Sequence, residues 1–359
     1  MAVRLREGTP ARYDYRPVHF SQVVIEPGAP VLLTADPWGY LRAFLSQATE
    51  GYQTRHRKNV KRALHYVRLA EGFYAAMDGA HTRTSGVLAY YGMLNLVKSF
   101  LAYKDVELET IAEHHGLTVP LDSADKVRVQ SAAGKGHVHI FHEFAGQLGT
   151  PVNGKHDVDF LAACSEVPEL HHLMDDLGLL SGASPKFLPI KISFLVNERY
   201  DRLFAEIRYD KRQERLLPTS KFLRGNRQEL FKEGVRQDDW IVHQTKKLRP
   251  VDKSSWPKVY TNLLGRLHGC DIVSMLGRGG YRYYCDLEPV EYHQLSYALM
   301  VMFFIGSISR YRPTDMEKTF VGLRRPVATE ALALIPRQFL YQLTSLITGK
   351  LCVVPYADL

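Results

Sequence analysis

Residues 83 to 103, RTSGVLAYYGMLNLVKSFLAY, are apolar nearly all the way round a helix, yet they hold Asn95 and Lys98 near its middle. A helix with no polar face belongs inside a core, and a buried amide or ammonium must find a partner or cost roughly 1–3 kcal/mol. A second such segment, LSYALMVMFFIGSI from Leu295 to Ile308, falls short of the ~20 residues that cross a bilayer. It reads as a second core helix. The chain is expected to rest on these two rods lying side by side and enclosing their few polar members.

The flanking pattern gives the remaining elements. Asp36-Pro37 sets an N-cap before a proline at the first helical position. Helices are expected over 38–46, 54–77, 82–103 and 106–115, the last closed by Gly116. Period-two alternation marks strands at 126–130 and 136–141, and a pair at 187–196 and 202–209 around a polar turn. Further strands are expected at 240–244 and 281–287, with a helical interlude over 157–180. Long helices resume at Glu291, one stopped by Pro313 and another running from about Thr329 to Thr348 with Pro336 in its early turns. The expected fold is α+β and mainly helical. It has an extended arm (1–35), a helical block (36–118), a mixed α/β middle (119–290) and a C-terminal helical block (291–359) packing on the first.

The formal charge of +8 and pI near 9.1 favour a polyanionic partner without the dense basicity of a dedicated nucleic-acid protein. Four scattered cysteines without C-x-x-C spacing fit a reduced interior. The opening MAVRLREGTPARYDYRP lacks the apolar core of a secretory signal. The expectation is a cytoplasmic protein with no membrane contact. No phosphate-binding G-x-x-x-x-G-K-[ST] loop, G-x-S-x-G elbow or H-E-x-x-H occurs, so nucleotide hydrolysis, α/β-hydrolase chemistry and zincin proteolysis lack support. No cofactor is expected.

The string AYYGMLNLVKSFLAY (89–103), HHGLT (114–118), SISRYRP (307–313) and PRQFLYQLTSLITG (336–349), taken in that order, resemble the YaaC-like proteins over most of the chain. That family carries no settled biochemical role. The first motif also resembles the A-Y-Y-A-M helix of HEPN-superfamily bundles, which commonly dimerise and some of which cut RNA with an Arg-x(4–6)-His motif. The HEPN resemblance implies a packed helical bundle, a possible homodimer, and a setting in a bacterial defence system with partner proteins. The Arg/His spacing occurs only at Arg12–His19 and Arg236–His243, and the latter reads as a turn into a strand rather than a helix.

Several constellations carry chemistry. Tyr91, Asn95 and Lys98 share one helix face and can meet Arg310 or His293 across a polar seam. The bland alternative is a structural hydrogen-bonded network, or Lys98 reaching solvent. Ser85, Ala89 and Gly92 form a row of small residues, for close packing within the chain or for a dimer seam. Arg55, Arg57, Lys58, Lys61, Arg62 and Arg68 make a basic outer helix face with no acid between Gly51 and Leu69, suited to phosphates or simply solvated. Arg278-Gly-Gly-Tyr-Arg-Tyr-Tyr, with Arg282, can stack and contact single strands or form a plain turn into a strand. His137, His139, His142 and Glu143 are the most metal-like group, with His171-His172 and Asp175-Asp176 behind them. No metal is expected, because a third ligand in register is missing.

The favoured function is a binding or assembly component whose basic residues contact nucleic acid or a partner protein. The alternative is a ribonuclease with a site between the two core helices, drawing on His293, Arg310, Tyr91 and Asn95.

Overall fold

The computed structural model describes residues 4–355 apart from 24, 52–53, 124, 133, 135, 181–185, 198, 200, 216, 218–221, 253 and 278–279, and apart from the side chains of 54, 55 and 215. The chain folds as two compact units, one made of Thr34–Ser181 with Val290–Thr348, the other of Met1–Leu33 with Gly182–Pro289 and Gly349–Leu359. In chain order the helices are α1 (Pro37–Gly51), α2 (Thr54–Met77), α3 (Thr82–Tyr103), α4 (Ile140–Gln147), α5 (Phe160–Ser165), α6 (Pro168–Asp176), α7 (Gly225–Leu230), α8 (Trp256–His268), α9 (Gln294–Tyr311), α10 (Pro313–Thr319) and α11 (Arg324–Thr348). The protein is of mixed α+β class.

In the helical unit α3 packs against α2, α9 and α11. Its burial is nearly continuous from Ala89 to Ala102, with Tyr91 and Lys98 the partly exposed exceptions. The two apolar rods meet directly. A Cβ placed on Gly86 would stand 2.6 Å from Ile305 Cγ2, and one on Gly306 would stand 3.1 Å from the Gly86 carbonyl oxygen. Glycine at both positions lets the backbones approach where any side chain would wedge them apart. Gly92 plays the same part toward α2, since a Cβ there would lie 2.5 Å from Tyr74 Cδ2. Ser85, Ala89 and Gly92, the row of small residues, are all buried within the chain.

Asp36 caps α1 as expected, its carboxylate accepting from the Gly39 N–H at 2.9 Å. Three departures have local causes. The segment 106–115 is not a helix: Asp105 and Glu109 sit at φ +61° and +66°, breaking any helical run, and Ala112–His114 instead pairs in parallel with His137–His139. The strand expected over 136–141 stops at His139, and α4 begins at Ile140, burying Phe141, Phe144 and Ala145. The interlude 157–180 divides into a strand, His156–Asp159, and α5 and α6, with Pro168 opening α6.

The second unit is built on an antiparallel sheet in the order Val235–Gln237, Trp240–Gln244, Arg202–Asp210, Phe187–Asn197, Gly280–Asp286 and Ile272–Gly277. The long central pair keeps its register from Lys191 opposite Arg208 to Asn197 opposite Arg202. Thr9–Pro10 joins one side of the Phe187–Asn197 strand. Tyr260 of α8 donates to the His19 carbonyl at 2.9 Å, tying the N-terminal arm down. No helix of the described residues is long and apolar enough to cross a membrane.

Candidate functional site

Where α3 and α9 run past each other in the helical unit, a cleft with room for about 350 Å³ opens between Val87, Tyr90, Tyr91, His115, Phe303 and Arg310, among others. Two polar pairs are built into it. The Arg310 guanidinium donates to the Tyr91 hydroxyl, with its carbon 5.3 Å from the Tyr91 ring centroid and 4.7 Å from that of Tyr311. Tyr90 Oη and His115 Nδ1 are 2.6 Å apart.

Burial pushes the Tyr90 phenol well above its ordinary range, so it keeps its proton. Lost solvation, and then the nearby cations Lys98 and Arg310, push the His115 imidazole down. At neutral pH a phenol therefore faces a neutral ring, and in the tautomer whose Nδ1 accepts the phenolic proton, Nε2–H is that ring's own donor. Arg310 has no carboxylate partner among the described residues, and no acidic side chain lines the cleft. Its neighbour Arg312 is engaged, to Asp315 at 2.6 Å and to the Pro120 carbonyl at 2.8 Å.

The other seam residues go elsewhere. Asn95 is buried, but its amide donates to the Tyr91 carbonyl one turn back at 2.8 Å. Lys98 pairs with Glu113 at 2.6 Å. His293 caps the far end of α9, accepting from the Leu295 N–H at 3.1 Å. Seventeen residues separate it from Arg310, about 25 Å along the helix. Arg310 and Tyr91 are thus brought together, while His293 and Asn95 stand outside the cleft. His115 and Tyr90 are site residues that sequence reasoning misses, although His115 lies inside the HHGLT string.

The basic face of α2 divides in two. Arg62 turns inward to Glu109 at 3.0 Å, and His56 and Asn59 bond Asp105 at 2.8 and 2.9 Å. Arg57, Lys58, Lys61, His65 and Arg68 are exposed. At about 100° per residue these five fall within roughly a 100° arc of the helix. No ion pair engages Arg57, Lys58, Lys61 or Arg68 among the described residues.

The remaining described candidates do not line this cleft. Arg278, like the side chain of Arg55, lies outside the described residues. Arg282 is exposed on a hairpin closed by the Gly277–Gly280 pair, and Tyr283 packs on Phe20 and donates to its carbonyl at 2.9 Å. From Gly280 to Asp286 the segment is a strand paired with Ile272–Gly277. Arg236 pairs with Glu214 at 2.8 Å, while His243 is fully buried. Neither this pair nor Arg12 and His19 lies on a helix. His137 Nδ1 meets His114 Nε2 at 3.1 Å, and His142 Nε2 reaches the Gln130 carbonyl at 3.0 Å. Among the described residues no group of three or more His, Cys, Asp or Glu side chains is arranged to hold a metal ion.

Fold and site together define a mixed helical and β protein with a glycine-packed helical core and a cationic, tyrosine-lined cleft. The chain belongs to the YaaC-like family: the family model described as YaaC-like Protein matches residues 36–347. No curated protein and no solved structure matches the chain. None of these comparisons supports the looser likeness to HEPN bundles.

Proposed function

We propose that this YaaC-like protein is a binding component that contacts nucleic acid through the exposed face of α2. One observation carries the reading: Arg57, Lys58, Lys61 and Arg68 project from a single arc with no ion-pair partner among the described residues, in a chain of formal charge +8. Phosphate contacts of this kind release counterions, so affinity falls steeply with salt. Changing all four residues to Glu is expected to weaken binding in a gel shift and to flatten its salt dependence by about 0.7 per contact on single strands, close to 3 for four contacts. Binding that is unaltered in strength and slope removes the proposal. Arg62 is left out of the variant because its charge is spent on Glu109. A defence setting with a partner protein is carried only by the likeness of α3 to the HEPN motif.

A second reading, phosphodiester cleavage between the core helices, is favoured by the Arg310–Tyr91 contact. In it Arg310 would stabilise developing charge and His115 would move the proton. Labelled RNA or DNA left intact with and without divalent metal counts against it.

A further inference from the structure

We propose that the cleft between α3 and α9 is a pocket for a mononucleotide, with the phosphate held by Arg310 and His115 and the base against the apolar wall. The inference rests on the cleft and not on the α2 face.

Three observations converge on it. First, a guanidinium presents five N–H donors in a fixed fork. Arg310 lines the cleft, gives one bond to the Tyr91 hydroxyl and meets no carboxylate among the described residues, which leaves N–H donors of its fork for a ligand. The centroids of two tyrosine rings lie within 5.3 Å of its carbon, and a guanidinium fork suits bidentate recognition of a phosphate. Second, in the tautomer whose Nδ1 accepts from Tyr90, His115 offers Nε2–H as a donor, and His115 lines the same cleft with the hydroxyl-bearing Thr118 and Ser307. The donors are present without one competing acidic side chain. Third, the rest of the lining is largely apolar and aromatic, with Val87, Leu117, Val119, Phe303 and the exposed Tyr311, side chains against which a planar ring can stack. The space of about 350 Å³ is at the small end of the ~300–1,000 Å³ typical of ligand pockets. It takes one nucleotide and not a duplex.

The test is calorimetric titration of the full chain at constant ionic strength with AMP, GMP, CMP and UMP, with the parent nucleosides, and with inorganic phosphate. At least one monophosphate is expected to bind, with its nucleoside and phosphate alone each at least about tenfold weaker. Arg310→Gln is expected to weaken it by roughly 10- to 100-fold, the range for a lost charge-assisted contact. Tyr91→Phe keeps the ring but frees the guanidinium, and should cost less. The fourfold α2 variant should bind the monophosphate as the natural chain does, which separates this pocket from the nucleic-acid face. Circular dichroism checks that each variant is folded. If Arg310→Gln unfolds, Arg310→Lys, which keeps charge without the fork, is expected to show an intermediate loss. No binding of any monophosphate up to millimolar concentration overturns the proposal, as does unchanged binding by folded Arg310 variants. Phosphate alone binding as tightly as the nucleotides overturns the assignment of a nucleotide.

Discussion

Arg227 is sealed inside the sheet unit, 1% exposed, and its guanidinium donates to the carbonyls of Phe222, Cys270 and Asp286 at 2.8, 3.2 and 2.7 Å. Those carbonyls belong to three separate segments, so one side chain joins them. Arg227→Met keeps the volume but leaves the acceptors bare. With each buried unsatisfied group costing about 1–3 kcal/mol, the expected loss is about 3–5 kcal/mol, read from urea unfolding. A loss under about 1 kcal/mol would deny the guanidinium this role.

His243, in the same unit, gives a pH prediction. Its ring stacks on Phe222 at 4.2 Å, Nδ1–H donates to the Lys232 carbonyl at 3.0 Å, and Nε2 is buried without a partner. Burial pushes its pKa down to about 4. Above pH 6.5 neither the folded nor the unfolded chain protonates this ring. Between 6.5 and about 4 only the unfolded chain does, so stability falls with acidification by ~1.4 kcal/mol per pH unit, roughly 3 kcal/mol in all. In His243→Gln that part of the slope should vanish, whatever the variant's stability at pH 7. Equal slopes for the two chains across pH 4.5–6.5 would show that the ring is not held neutral.

At the scale of elements, the close approach of α3 and α9 depends on Gly86 opposite Ile305. Gly86→Val is expected to cost about 1–3 kcal/mol by overpacking. In an Ile305→Ala background the same change should cost less, a coupling of about 0.5–3 kcal/mol in a double-mutant cycle. Strict additivity would mean that the two residues do not meet. The apolar rods, the Asp36 cap and the long hairpin of 187–210 are legible in the sequence because each has a period or a cap of its own. The 106–115 segment is not, because the left-handed turns at Asp105 and Glu109 depend on tertiary contacts that no local pattern encodes. Helix α10 is hidden because Pro313, which reads as the stop of α9, is also the first residue of the next helix.

At the scale of the molecule, the candidate site is half legible. Arg310 and Tyr91 can be found because both lie on strongly periodic helices. His115 cannot, since it follows the irregular 106–111 stretch and the short strand Ala112–His114, and meets Tyr90 from twenty-five residues on. His293 fails as a partner for a geometric reason: sharing a helix with Arg310 places the two at opposite ends. The net positive charge is also unevenly spent, for Arg62, Arg128, Arg236 and Arg324 are ion-paired while four cations of α2 have no ion pair among the described residues. Those four are what the proposed nucleic-acid contact uses.

Lysine acylation footprinting reads that contact residue by residue. With a saturating single-stranded oligonucleotide, Lys58 and Lys61 should become several-fold less reactive, while exposed Lys318, which is paired with Asp315 on α10, should acylate at its original rate. Retained binding with Lys58 and Lys61 reacting as fast as in the free protein would contradict the assignment of α2 as the nucleic-acid face.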